Sequence, residues 1–138
     1  MNAMNWLKWI CFSILLLVLT GCMETIHSVQ IGTVDQEGAI QLLKSESEED
    51  IYQKALDTFN NGRNIKLAPS EVENLKTHYI QFKDDNQNLV ISNYNVWFDH
   101  DKNRIIFTDH VQPYSYYRIV DNDKDFLRNL LLNDEGSK

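Results

Sequence analysis

Cysteine, proline and glycine are scarce in this chain, with two, two and five residues among 138. So few glycines leave no glycine-rich loop to cradle a phosphate, and no serine or cysteine stands in a nucleophile motif. Basic side chains are outnumbered: 13 Lys and Arg face 20 Asp and Glu, a formal net charge of −7. That balance argues against nucleic acid as a partner, because binding it requires a basic surface. Long hydrophobic runs are missing too. The longest, Trp9 to Leu19, is broken only by Ser13 and covers eleven residues, about 16 Å as a helix. A bilayer core is about 30 Å thick, so this run is too short for a permanent transmembrane helix. No repeat and no low-complexity tract is visible.

The short apolar run has the surroundings of an export signal. Met1 to Lys8 carries one Lys and no acid, a positively charged lead-in to an h-region. The run closes on Leu19-Thr20-Gly21-Cys22, which resembles the lipobox of bacterial lipoproteins. Small Thr20 and Gly21 suit a protease cleft, and only a thiol supplies a thioether. The resemblance implies a signal peptide at residues 1–21, a diacylglycerol on the Cys22 thiol, and cleavage just before it. The mature protein is then anchored to the membrane rather than spanning it. Cys11 leaves with the signal and Cys22 is acylated, so neither a free thiol nor a disulfide is expected, and the core alone must hold the domain. Removing 21 residues from 138 leaves 117, one small domain by length, and takes away one Lys and no acid, moving the charge from −7 to −8. Abundant Asn with few Pro, Ala and Gly hints at a low-GC, Gram-positive host, in which the anchor lies on the extracytoplasmic face of the cell membrane.

Beyond a tether at residues 22–25, one domain is expected over residues 26–134. Ile26 to Thr33 alternates apolar and polar residues as a strand does, and Asp35-Gln36-Glu37-Gly38 separates it from an Ala39 to Leu43 strand, a β-hairpin. Ile51, Ala55, Leu56 and Phe59 recur at helical spacing, which predicts a helix at about 47–60, capped by Ser45 or Ser47 and stopped by Asn60-Asn61-Gly62. After a loop at Pro69-Ser70 come four strand-like runs, Leu75 to Phe82, Leu89 to Phe98, Arg104 to Thr108 and Tyr114 to Val120, rich in aromatic and β-branched residues. A second helix, about 122–132, carries Phe126, Leu127, Leu130 and Leu131 on one stripe and is capped by Asp121 or Asn122. The expected fold is α+β: an antiparallel β-meander with an N-terminal β-hairpin and two packed helices. That order of elements, with Val96-Trp97-Phe98 and Tyr116-Tyr117-Arg118-Ile119, resembles small Bacillus-type lipoproteins. The grouping implies an envelope location, has no established activity, and transfers no site.

Candidate chemistry is thin. Asp99, Asp101 and Asn103 mimic the first ligands of a calcium loop, but its sixth position is Arg104 rather than Gly and its twelfth His110 rather than Glu. A plain hairpin turn is expected, since Asx residues favour turns for their own reasons. His78, His100 and His110 lack paired ligand spacing for zinc and read as surface histidines. No catalytic, metal-binding or cofactor-binding residue is assigned. The tyrosines are more informative. On a strand, adjacent Tyr116 and Tyr117 point to opposite faces, so one of them is expected to face outward. Tyr114, Tyr116, Tyr117 and Arg118 therefore mark a possible interaction surface for an envelope protein. The sequence thus reads as a lipid-anchored, non-catalytic interaction module of scaffold, exclusion or immunity type. The alternative is an extracytoplasmic protein binding a small ligand or cation through Asp99 to Asp109, which a deep polar pocket holding several of His78, His100, Asp101 and His110 would favour.

Overall fold

A computed structural model describes residues 24–132 together with Met4. The expected signal peptide, Met4 apart, and the expected lipidation site Cys22 lie outside the described residues. Among the described residues, seven strands form one antiparallel sheet: β1 (His27–Val34), β2 (Ile40–Glu46), β3 (Arg63–Ile65), β4 (Thr77–Asp84), β5 (Leu89–Asp99), β6 (Arg104–Asp109) and β7 (Tyr116–Arg118). Helix α1 (Glu49–Asn60) follows β2, and α2 (Lys124–Leu132) closes the described chain. The strands lie in the order β2-β1-β4-β5-β6-β7-β3. The fold is α+β, with the expected hairpin and meander. The sequence did not reveal β3, three residues that pair with β7 and place a new strand at the sheet's far edge.

The β1–β2 turn follows from its residues. Asp35 Oδ1 accepts the backbone N–H groups of Glu37 and Ala39, at 3.0 and 2.8 Å, an Asx turn. Gly38 takes φ +85° there, a conformation that costs glycine little. Two other turns hold asparagines at positive φ, Asn88 and Asn103, the non-glycine residue that tolerates it best. The helix starts differ from expectation. Glu48 precedes α1 and makes no side-chain cap, while Ser45 belongs to β2. The first turn is secured instead by Gln53 Nε2 donating to Glu49 Oε1 at 2.7 Å, with Glu49 and Asp50 favouring the helix dipole. Before α2 the chain makes a 3-10 turn over Asp121–Asp123, so the two expected cap residues lie inside that turn, which Val120 precedes with no side-chain cap.

Both helices cover one sheet face. Tyr52, Ala55 and Phe59 of α1 and Leu127, Leu130 and Leu131 of α2 join Val29, Ile31, Ile80, Phe82, Val96 and Phe107 in one buried core. Phe59 is its hub: it stacks on Tyr94 at 4.5 Å and meets Phe107 and Phe82 edge-on at 4.9 and 5.9 Å. Rings in such arrangements gain about 0.5–1.5 kcal/mol per pair beyond area burial. Phe126 is only half-buried and lies under the Lys54 ammonium, 4.5 Å from its centroid, which ties α2 to α1. The other sheet face has a smaller core, in which Trp97, Ile106 and Tyr116 are covered by Val72, Leu67 and Leu75. Leu75 was expected to open a strand; it joins this cover instead, and β4 begins at Thr77. Because the chain between β3 and β4 covers this half of the sheet, both faces are buried there.

Candidate functional site

The four residues marked from the sequence lie at the sheet end formed by β6, β7 and β3, and they differ in exposure. Tyr116 is 8% exposed and packs beside Trp97, ring centroids 6.0 Å apart. Tyr117 points to the helix face, half-buried, and stacks on Phe107 at 5.3 Å. The expectation that one of this pair faces outward is therefore corrected: alternation sends them to opposite faces, and each face is covered. The exposed tyrosine is Tyr114, at 88%. It lies outside β7, which is shorter than the Tyr114 to Val120 strand that was expected.

Tyr114 is presented by a loop that is well anchored. Thr108 Oγ1 is 3.1 Å from the Gln112 carbonyl oxygen and 2.9 Å from that of Ser115, bridging the two ends of the turn. Asp109 Oδ1 accepts the Val111 N–H at 2.7 Å, a second Asx turn. Against this loop lies β3 with its continuation Lys66 and Leu67, and a cleft of about 320 Å³ opens between them, bordered by Asn64, Lys66, Tyr114 and Ser115. The strand that forms its far wall exists because Gly62 lets the chain pass close to Phe107: a Cβ at 62 would lie 2.5 Å from Phe107 Cε1.

The charge at this edge runs against that of the chain. Arg63, the first residue of β3, stands directly opposite Arg118 across the β3–β7 pair, and exposed Lys66 follows the other end of β3. Like charges placed directly opposite one another across a strand pair are destabilising. Among the described residues neither arginine is in an ion pair. The neighbouring acid, Asp121, is engaged with Lys124 at 3.1 Å. Its carboxyl is held below the ordinary value first by that bond, then by the more distant Arg118 and Arg63.

Of the residues of the alternative reading, His78 and His100 line one cleft, and Asp101 and His110 do not join them there. The Asp99-to-Asn103 segment is a hairpin turn between β5 and β6. Asp99 accepts from Arg104 Nε at 2.8 Å and from the Lys102 N–H at 3.2 Å. Burial opposes its ionisation, yet these partners hold its carboxyl below the ordinary value. Glu71, from the cover over the second core, joins the same network, accepting from Lys102 Nζ at 2.9 Å and Arg104 Nη2 at 3.2 Å. His78 is not a surface residue: it is 5% exposed and meets Phe98 edge-on at 5.0 Å, because β4 directs it into the helix face. His78 and His100 do share a cleft of about 340 Å³ with Lys76 and Leu132. His110 lies on the other face, 5.6 Å from Tyr79 and 3.2 Å from Asn95 Oδ1. Among the described residues no group of three or more His, Cys, Asp or Glu is placed to hold a metal ion.

No helix among the described residues is long and apolar enough to cross a membrane. No protein-family model, curated protein or solved structure matches the chain.

Proposed function

We propose that this chain is a lipid-anchored lipoprotein of the bacterial cell envelope, held through Cys22 on the extracytoplasmic face of the membrane. Its exported domain acts as a non-catalytic module that binds an envelope protein, in the manner of a scaffold, exclusion or immunity factor. The anchor rests on Leu19-Thr20-Gly21-Cys22 closing an apolar run of bilayer-subspanning length. The interaction reading is carried by one observation: an exposed Tyr114 on a fixed loop beside a cleft, at a sheet edge whose basic charge opposes that of the chain. Tyrosine and arginine are the residues on which protein-binding surfaces most often rely.

Intact-mass spectrometry with fatty-acid labelling of the membrane fraction tests the anchor. A diacylglyceryl mass that disappears in Cys22→Ala is expected, whereas an unlipidated protein in the medium would overturn it. A photo-crosslinking residue at position 114, compared in intact cells with one at exposed Glu73, tests the surface. A discrete adduct at 114 alone is expected, and equal yields at both positions would count against an interaction site there.

A second reading, binding of a small ligand, is favoured by the cleft that His78 and His100 share. It needs those histidines and not His110, so loss of a ligand in His100→Ala with His110→Ala unaffected is its signature.

A further inference from the structure

We infer that the β3–β7 edge takes an extended acidic segment of a partner protein, laid along the outer side of β3 and passing over its end to the Tyr114 cleft; this rests on the interaction reading above. Three independent features converge on that chemistry. First, β3 ends the sheet, so among the described residues one side of Arg63–Ile65 has no neighbouring strand. Such an edge offers main-chain N–H and C=O groups to an added strand. Second, Arg63 and Arg118 face each other there in a chain of net charge −7, with Lys66 just past the other end of β3 and the neighbouring acid Asp121 bonded to Lys124. Neither arginine is in an ion pair among the described residues. A bound carboxylate would relieve the mutual repulsion of the two guanidinium groups and accept their forked donors. Third, the cleft beside Tyr114 continues from the end of β3, at Asn64 and Lys66. It gives a side chain of the added segment a place to sit, with Tyr114 as its exposed wall.

The opposite edge of the sheet is different. There β2 exposes Ile40, Leu42 and Leu43 and leads into the acids Glu46, Glu48, Glu49 and Asp50. The facing arginines are a local property of β3 and β7, and they steer an acidic partner toward that edge rather than toward β2. A second copy of this chain offering its β2 end is the competing occupant.

The test uses the full lipoprotein in neutral detergent and fluorescence anisotropy. Its probe is a labelled peptide of about nine residues that alternates Glu and Val, a length matched to a strand. Saturable binding is expected, weakened about tenfold or more in Arg63→Gln/Arg118→Gln and in about 300 mM salt, while a Lys-Val peptide does not bind. Arg63→Gln alone, at an exposed position, with Trp97 emission unchanged, excludes misfolding as the cause of a loss. Equal binding by the double variant overturns the inference. So does displacement of the peptide by inorganic polyphosphate at equal charge concentration, which would mark a polyanion site indifferent to strand geometry. Oligomerisation that Arg63→Gln abolishes would assign the edge to a second copy and also overturn it. If position 114 still crosslinks in cells while the acidic peptide is ignored, the acidic chemistry fails and the interaction surface stands.

Discussion

Gly62→Ala is a small substitution that the packing around Phe107 makes expensive. A Cβ built on Gly62 lies 2.5 Å from Phe107 Cε1, closer still to its Cζ, and 3.0 Å from the Phe59 carbonyl oxygen. Carbon atoms in contact prefer about 3.5–4.0 Å, so the ring must retreat by about 1 Å. It has nowhere to go. Phe59 meets it edge-on at 4.9 Å, Tyr94 edge-on at 5.5 Å, and Tyr117 stacks on it at 5.3 Å. Overpacking of this kind costs about 1–3 kcal/mol, a large part of the roughly 5–15 kcal/mol available to a domain of this size. Urea unfolding followed by Trp97 fluorescence measures it. Phe107→Leu removes the clashing ring atoms at the expense of a cavity, so Gly62→Ala should cost less in that background than alone. Coupling of at least about 1 kcal/mol is expected in the double-mutant cycle. Additivity within about 0.5 kcal/mol, or a neutral Gly62→Ala, would refute the proposed contact and with it the account of how β3 reaches the sheet edge.

Phe59→Ala should lower stability by about 3–5 kcal/mol, whereas Tyr114→Ala, at an 88% exposed position, should stay within about 0.5 kcal/mol; paired urea midpoints distinguish the two. Thr77→Val leaves the Trp97 Nε1–H, which now donates to Thr77 Oγ1 at 2.9 Å, without a partner in the second core. A loss of about 1–3 kcal/mol and a shifted Trp97 emission are expected. Glu71 has a carboxyl lowered from 4.5 to about 2 by the Lys102 bond first, then the Ala68 N–H and Arg104. A depressed folded value means that the stabilisation is present above 4.5 and fades as pH falls toward 2. NMR titration of the Glu71 carboxyl should show this midpoint, and Glu71→Gln should flatten the acid side of the stability profile. A Glu71 midpoint near the ordinary value would break the proposed network.

Several elements were legible in sequence because their information is local. The Asp35-to-Gly38 turn needs an Asx acceptor and a residue free to take positive φ, and both stand in the four residues themselves. Helix α1 shows its apolar spacing at Ala55 and Phe59, and α2 does so at Leu127, Leu130 and Leu131. The long strands β4, β5 and β6 betray themselves by aromatic and β-branched runs. Helix caps were misread: serine near a helix start is a good cap, yet β2 runs on to Glu46 and claims Ser45. Strand pairing outweighed a single capping bond.

What tertiary structure decided is where chains far apart in sequence meet. Arg63–Ile65 has no apolar pattern of its own, and it is a strand because β7 offers it an edge and Gly62 can pass Phe107. Alternation correctly split Tyr116 from Tyr117, but their exposure depended on Val72 and Leu75 covering one face and α1 the other. That transferred the exposed aromatic role to Tyr114. The facing of Arg63 and Arg118, 55 residues apart by number, is likewise a product of register. Sequence set the periodicities and the turns of this protein, because those depend on neighbours within a few bonds or one helical turn. The sheet order set its charged edge and its cleft, because burial and charge proximity depend on contacts that only the folded chain makes.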